Sequence, residues 1–265
     1  MQDYTQTDQQ IHWLCQIIAK ANRSYVPKKE DDSHTNLFFD VLGNRIIGRW
    51  IKTSSGKIIL SLNLENLRLE WLGDHLQVLQ SVASVGKSDL EIIRELTQEV
   101  QKRGLQPADF SEKLHFEITE YPFSQTPVQF IPQEHIQVWK HWRQLANEAC
   151  LWVLGYLQAD GEIRIWPHHF DTGIYVPAND RVSIGFGWAM EDSLAGAPYF
   201  YVAGYAPQGS LDYQELPELQ TGKWETGGHF KGAILSLNEM TNLNRDILEK
   251  ALFEFLQKTI GFFLK

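Results

Sequence analysis

The chain has 265 residues, 43% hydrophobic and 22% charged, an ordinary globular balance that excludes wholesale disorder. With 33 Asp and Glu against 24 Lys and Arg the net charge is −9, and the longest basic run, Lys28-Lys29, is offset at once by Glu30, Asp31 and Asp32. Nucleic-acid binding needs a cationic face that displaces counterions from phosphates, so that class of partner is set aside. Cys15 and Cys150 each lie in an apolar helical pattern and read as buried reduced thiols. The polar, slightly acidic N-terminus is unlike a signal peptide, and no run approaches the ~18 apolar residues of a membrane span. These features point to a soluble, cytoplasmic protein with no membrane partner.

In chain order, a helix is predicted over Gln9–Asn22, with Thr7 and Gln10 at capping-box spacing and Ile11, Leu14, Cys15 and Ile18 on one face. Strands follow at Leu37–Leu42 and Arg45–Ile51, joined by a Gly43-Asn44 hairpin signal, and at Lys57–Leu64. The stretch Leu67–Val85 mixes both periods, and its first part reads as helix. Ser88-Asp-Leu-Glu91 is a capping box opening a helix that Lys102-Arg103-Gly104 closes. A short strand, Leu114–Thr119, precedes prolines 122, 127 and 132. The chain reads as a single domain over 1–265 with a sub-boundary at 121–132.

The strongest helical period runs from Gln133 to Leu157, with Pro132 suited to the helix start. Strands are predicted over Glu162–Val176, Arg181–Trp188, Tyr199–Tyr205 and His229–Leu237, and a last amphipathic helix over Arg245–Phe263. Helices at the ends of strand runs imply an α+β fold with largely antiparallel sheets, and each half reads helix, strands, helix, an order compatible with two similar α-β-α halves. GxGxxG, Walker A and GxSxG motifs do not occur, which argues against the common nucleotide-binding and α/β-hydrolase chemistries.

One polar cluster stands out, Trp166-Pro-His-His-Phe-Asp171. On a regular strand His169 and Asp171 share a face, with His168 on the other beside Trp166 and Phe170. A carboxylate two residues from an imidazole can fix its tautomer and raise its basicity, so His169 is the candidate general base and Asp171 its orienter. Pro167 marks an edge, a bulge or a kink. Adjacent histidines diverge on a strand, and a metal would need a ligand from elsewhere, so no metal and no cofactor is expected. His229 or Glu225, beside Gly227 and Gly228, could complete the site, whereas His12, His135 and His141 read as helix-surface residues. The C-terminal half is also crowded with aromatics, among them Trp166, Trp188, Tyr201 and Trp224, which read either as sheet core or, with His168 and Glu225, as the lining of a cleft for a small molecule.

His12-Trp-Leu-Cys-Gln-Ile-Ile-Ala-Lys20, Phe170-Asp171, Pro198-Tyr-Phe-Tyr-Val-Ala-Gly-Tyr-Ala-Pro207, Gly232-Ala-Ile-Leu235 and the last helix together resemble a bacterial family known only as a domain of unknown function. The resemblance spans nearly the whole chain and implies a full-length member. It favours Asp171 over either histidine and implies no activity, cofactor or partner. Three functions stay in competition. These are a hydrolase-type enzyme using His169, Asp171 and His229, a binding module for a small molecule, and a non-catalytic interaction protein whose surplus aromatics form a homo-oligomer interface.

Overall fold

The first helix, α1 (Gln2–Tyr25), starts well before the predicted Gln9. The Thr7 hydroxyl turns back to donate to the Asp3 carbonyl at 2.7 Å, as a helix-interior threonine does, and caps nothing. The protein is described here by a computed structural model covering residues 2–111 and 113–265. It is α+β, with five α-helices and two antiparallel sheets among the described residues. It divides into two compact units, one of residues 2–140 and 164–170, the other of 141–163 and 171–265. The division falls inside a helix and on either side of the segment 164–170, while the proline-bearing connector lies wholly in the first unit.

The N-terminal unit holds β1 (Phe38–Asp40), β2 (Arg45–Ile47), β3 (Ile51–Thr53), β4 (Gly56–Asn63), β5 (Arg68–Leu72) and β6 (Val78–Ala83). They pair in the order β1-β2-β4-β5-β6, with β3 on β4. In the β1–β2 turn it is Asn44 that takes the positive φ of 50°, while the Gly43 amide donates to the Asp40 carboxylate at 2.9 Å. The helix expected in the first part of Leu67–Val85 is instead β5, followed by β6. Leu69 and Trp71 stand opposite Leu62 and Leu60 of β4, so cross-strand burial decides against a local helical period. Residues 114–119, read as a strand, form none. Helix α2 (Asp89–Lys102) has the predicted capping box between Ser88 and Glu91. Its Leu96 carbonyl accepts from Trp71 Nε1 at 3.1 Å, tying helix to sheet. The core is the apolar side of α1 (Ile11, Leu14, Cys15, Ile18) with Ile58, Leu60, Leu62, Leu69 and Trp71.

Helix α3 (Gln133–Leu157) runs from one unit into the other. A two-residue strand, β7 (Arg164–Ile165), belongs to the N-terminal unit, where Ile165 and Leu37 exchange backbone hydrogen bonds of 2.7 and 2.9 Å. The C-terminal unit carries β8 (Thr172–Asn179), β9 (Val182–Ala189), β10 (Tyr199–Tyr205), β11 (Lys223–Glu225) and β12 (Gly232–Ser236), ordered β11-β12-β10-β9-β8. The short helix α4 (Leu237–Met240) and the long α5 (Arg245–Phe263) close the chain. Val182, Ile184, Phe186 and Trp188 of β9 with Phe200 and Val202 of β10 make a buried face in which Phe186 stacks on Phe200. Helix α3 covers it through a parallel stack of Trp142 on Trp188 (5.4 Å) and a 2.9 Å hydrogen bond from the buried Arg143 guanidinium to Thr172. Among the described residues no helix is long and apolar enough to cross a membrane.

Candidate functional site

The segment read as a continuous strand is broken at its centre. Residues 167–169 form a turn between β7 and β8, closed by a 2.6 Å hydrogen bond from the Phe170 amide to the Trp166 carbonyl. Phe170 holds φ at +59°, a left-handed conformation costly for a bulky side chain. The turn reverses the expected arrangement of the histidines. Their rings lie together, with centroids 4.3 Å apart, where a strand would have sent them to opposite faces.

The N-terminal unit braces this turn with a stripe of buried polar residues on α1. Asp8, His12 and Gln16 follow one another at four-residue steps and are buried. His12 Nε2 and Gln16 Nε2 both donate to the Pro167 carbonyl at 2.8 Å. A carbonyl only accepts, so the His12 proton sits on Nε2, and Nδ1 accepts from the Tyr121 hydroxyl at 2.7 Å. Burial, with the Asp8 carboxylate nearby, pushes Tyr121 well above the usual phenol range and keeps it a donor. The Phe170 ring stacks on His12 at 4.8 Å, and Trp139 Nε1 donates to Asp8 at 2.7 Å. What the turn presents outward is His168 and His169. Phe116 packs against His168 at 5.5 Å. Burial first, then the neighbouring His169, His115 and His12, lower His168 to about 4, so its ring is neutral at neutral pH.

The C-terminal unit has its own constellation on the sheet face opposite the α3 contact. Strand alternation puts Tyr199, Tyr201, Ala203 and Tyr205 of β10 on this face, opposite Ala189, Gly187, Gly185 and Ser183 of β9. The glycines make room for the phenols. A β-carbon on Gly187 would lie 2.9 Å from the Tyr201 hydroxyl, and one on Gly185 would lie 2.9 Å from Tyr205 Cε2. Two carboxylates anchor the row, since Tyr201 hydrogen-bonds Asp171 and the Tyr199 hydroxyl donates to Asp192 at 2.8 Å. Burial and these carboxylates push both phenols well above their ordinary range, so they stay protonated donors. Asp192 also accepts from the amides of Leu194 and Ala195, so it shapes its loop and is not a loose surface charge.

At the far end of the row the face opens. Tyr175 and Tyr205 are 50% and 46% exposed and meet edge to face at 5.3 Å. Beside them lies an open cavity of about 380 Å³ lined by Tyr205, Ser210, Leu211, Tyr213, His229, Phe230 and Lys231, among others. Phe230 closes it toward Tyr201, the two rings meeting edge to face at 6.3 Å.

The predicted residues therefore fall in three places. His168 and His169 sit on the braced turn with Trp166, which lies under the Arg164 guanidinium at 5.7 Å. Asp171, Tyr201 and His229 belong to the tyrosine face and its cavity. Trp188 is fully buried against Trp142, Trp224 packs on Phe262 of α5 at 5.0 Å, and Glu225 pairs with Lys223. Sequence reasoning missed His12, which is buried and not a surface residue. The four-residue spacing of Asp8, His12 and Gln16 was the available signal, an apparent polar stripe that turns inward. It also missed Tyr213 and Lys231. Among the described residues no group of three or more His, Cys, Asp or Glu is placed to hold a metal ion.

No protein-family model, curated protein or solved structure matches the chain, so its function is read from these side chains alone.

Proposed function

We propose that the protein binds a small molecule on the tyrosine face of its C-terminal unit. The observation that carries this reading is the cavity at the end of β10, where three aromatic rings and two nitrogen-bearing side chains converge on about 380 Å³ of open space. That volume lies within the range of small-molecule sites, which are concave, largely apolar and fitted with a few polar groups. The row leading to it is stiff, since Tyr199 and Tyr201 are pinned by carboxylates and seated over small residues of β9. Native mass spectrometry of untagged protein, paired with Tyr205→Ala, tests the reading. A retained mass present in the native protein and absent from the variant supports it. A bare chain in both, with no thermal shift across a panel of small metabolites, rejects it. The same spectrum counts subunits, and a stable oligomer without ligand would favour the interaction-protein alternative.

A second reading, hydrolase-type proton transfer, is favoured by one observation. The Pro-His-His turn is preorganised by buried groups and presents imidazoles, one of them neutral, at the surface. Here His169 is the base. Hydrolysis of a panel of activated esters should then fall by at least ~10²-fold in His169→Ala, the lower end of general-base contributions. Equal rates in both proteins would end this reading.

A further inference from the structure

The cavity is an electrostatic exception within its own chain. The protein carries a net charge of −9, yet among the described residues no Asp or Glu lines the cavity, while Lys231 and His229 do. Lys231 has no carboxylate partner among the described residues, whereas Lys223 on the neighbouring β11 is paired with Glu225. With Lys231 among its lining residues and no carboxylate among the described ones, the hollow suits negative charge brought from outside. Ser210 belongs to the same lining. The other walls are flat and largely apolar, made by Tyr205, Tyr213 and Phe230, and the half-exposed Tyr205 ring lies over Gly185 and meets Tyr175 edge to face. Tyr213 is held at the rim by its hydroxyl, which donates to the Lys231 backbone carbonyl at 3.3 Å, so this wall is tied to the backbone that carries the lysine.

Resting on the small-molecule reading above, we propose that the ligand is an aromatic acid, a planar ring bearing a carboxylate or phosphate, with its anionic group at Lys231 and His229 and its ring against Tyr205. Charge-assisted hydrogen bonds give the anionic end its selectivity, and ring contact supplies affinity that is indifferent to charge. The two contributions can therefore be removed separately.

The test is a titration of the full chain, followed by aromatic proton NMR and calorimetry, with benzoate, phenyl phosphate and the uncharged benzyl alcohol. Expected is binding of the two anions that perturbs the Tyr205 and Tyr213 resonances, with benzyl alcohol roughly tenfold weaker or worse, as charge-assisted contacts imply. The stronger of the two anions tells carboxylate from phosphate recognition. Lys231→Gln should weaken the anions about tenfold and leave benzyl alcohol unchanged, while Tyr205→Ala should weaken all three. Lys231 is exposed, so an unchanged melting temperature confirms that the variant folds. If all three probes bind alike and Lys231→Gln changes nothing, the anionic assignment is overturned and the small-molecule reading stands. If no probe perturbs Tyr205 or Tyr213, and no neutral metabolite does either, both are overturned.

Discussion

Each unit has a sheet with one polar face, and the two faces solve polarity in opposite ways. In the N-terminal unit Ser61, Glu70 and Ser81 stand opposite one another across β4, β5 and β6. Glu70, 5% exposed, accepts from Ser81 at 3.2 Å and faces Arg45 at 3.9 Å, and Arg68 donates to the Ser81 hydroxyl at 2.7 Å. This network closes on itself. The C-terminal face has glycines where the other has serines and charges, lays tyrosines over them, and ends in a cavity with Lys231 but no carboxylate among its described lining residues. A closed network resists removal of any member but offers nothing to a ligand. An open one tolerates substitution at its rim and keeps its polar groups for something else.

That contrast is sharpest where a residue type is shared by core and site. Trp188→Ala should be the costliest change, about 3–5 kcal/mol by urea denaturation, because it empties the stack with Trp142. A variant of near-native stability would return Trp188 to the ligand-binding residues. Next comes Glu70→Ala, expected to cost about 1–3 kcal/mol by leaving buried partners unsatisfied, whereas Glu225→Ala, at an edge pair, should cost under about 1 kcal/mol. Equal costs in thermal melts would erase the distinction between closed and open faces. Tyr205→Ala should lie within about 1 kcal/mol of the native protein while abolishing the retained ligand mass, and a large loss of stability would make Tyr205 a structural residue.

The smallest effect concerns acid. Folding lowers His168 from 6.5 to about 4, and burial lowers His34 as well. The unfolded chain then takes up these protons more readily, so the contribution is complete above pH 6.5 and is lost as the pH falls toward 4. His168→Gln should flatten the fall in melting temperature across that window by roughly 1–2 °C, since His168 is partly solvated. An unchanged slope would show that the turn does not sense the proton.

Much of the architecture was legible where local signals sufficed. The bounds of α3, β10 and α5 coincide with the predicted ones, and Ser88 and Glu91 cap α2 as their spacing implies. The failures share one cause, which is contact over long sequence separation. Residues 67–72 carry an ambiguous local period and become strand because β4 offers Leu60 and Leu62. The turn at 167–169 depends on His12 and Gln16, more than 150 residues away, and nothing near Pro167 announces them. Of the candidate site, Asp171 and the histidine pair were legible in the Trp166–Asp171 motif, His229 beside its two glycines and Tyr201 in an aromatic strand. The cavity was not, because loops 206–213 and 229–231 meet only in the folded sheet.

For residues 162–176 two arrangements are conceivable, one long strand or two strands joined by a turn, and their sequence alternation favours the first. The structure has the second, held by His12 and Gln16 and by the positive φ of Phe170. A valine or isoleucine there, stiff and averse to the left-handed region, should straighten the segment and carry the histidines to opposite faces. A glycine would ease the torsion but give up the ring that stacks on His12. Few aromatic residues in the chain are as narrowly prescribed, and for a reason unrelated to hydrophobicity: the Phe170 torsion lies where the turn at 167–169 gives way to β8.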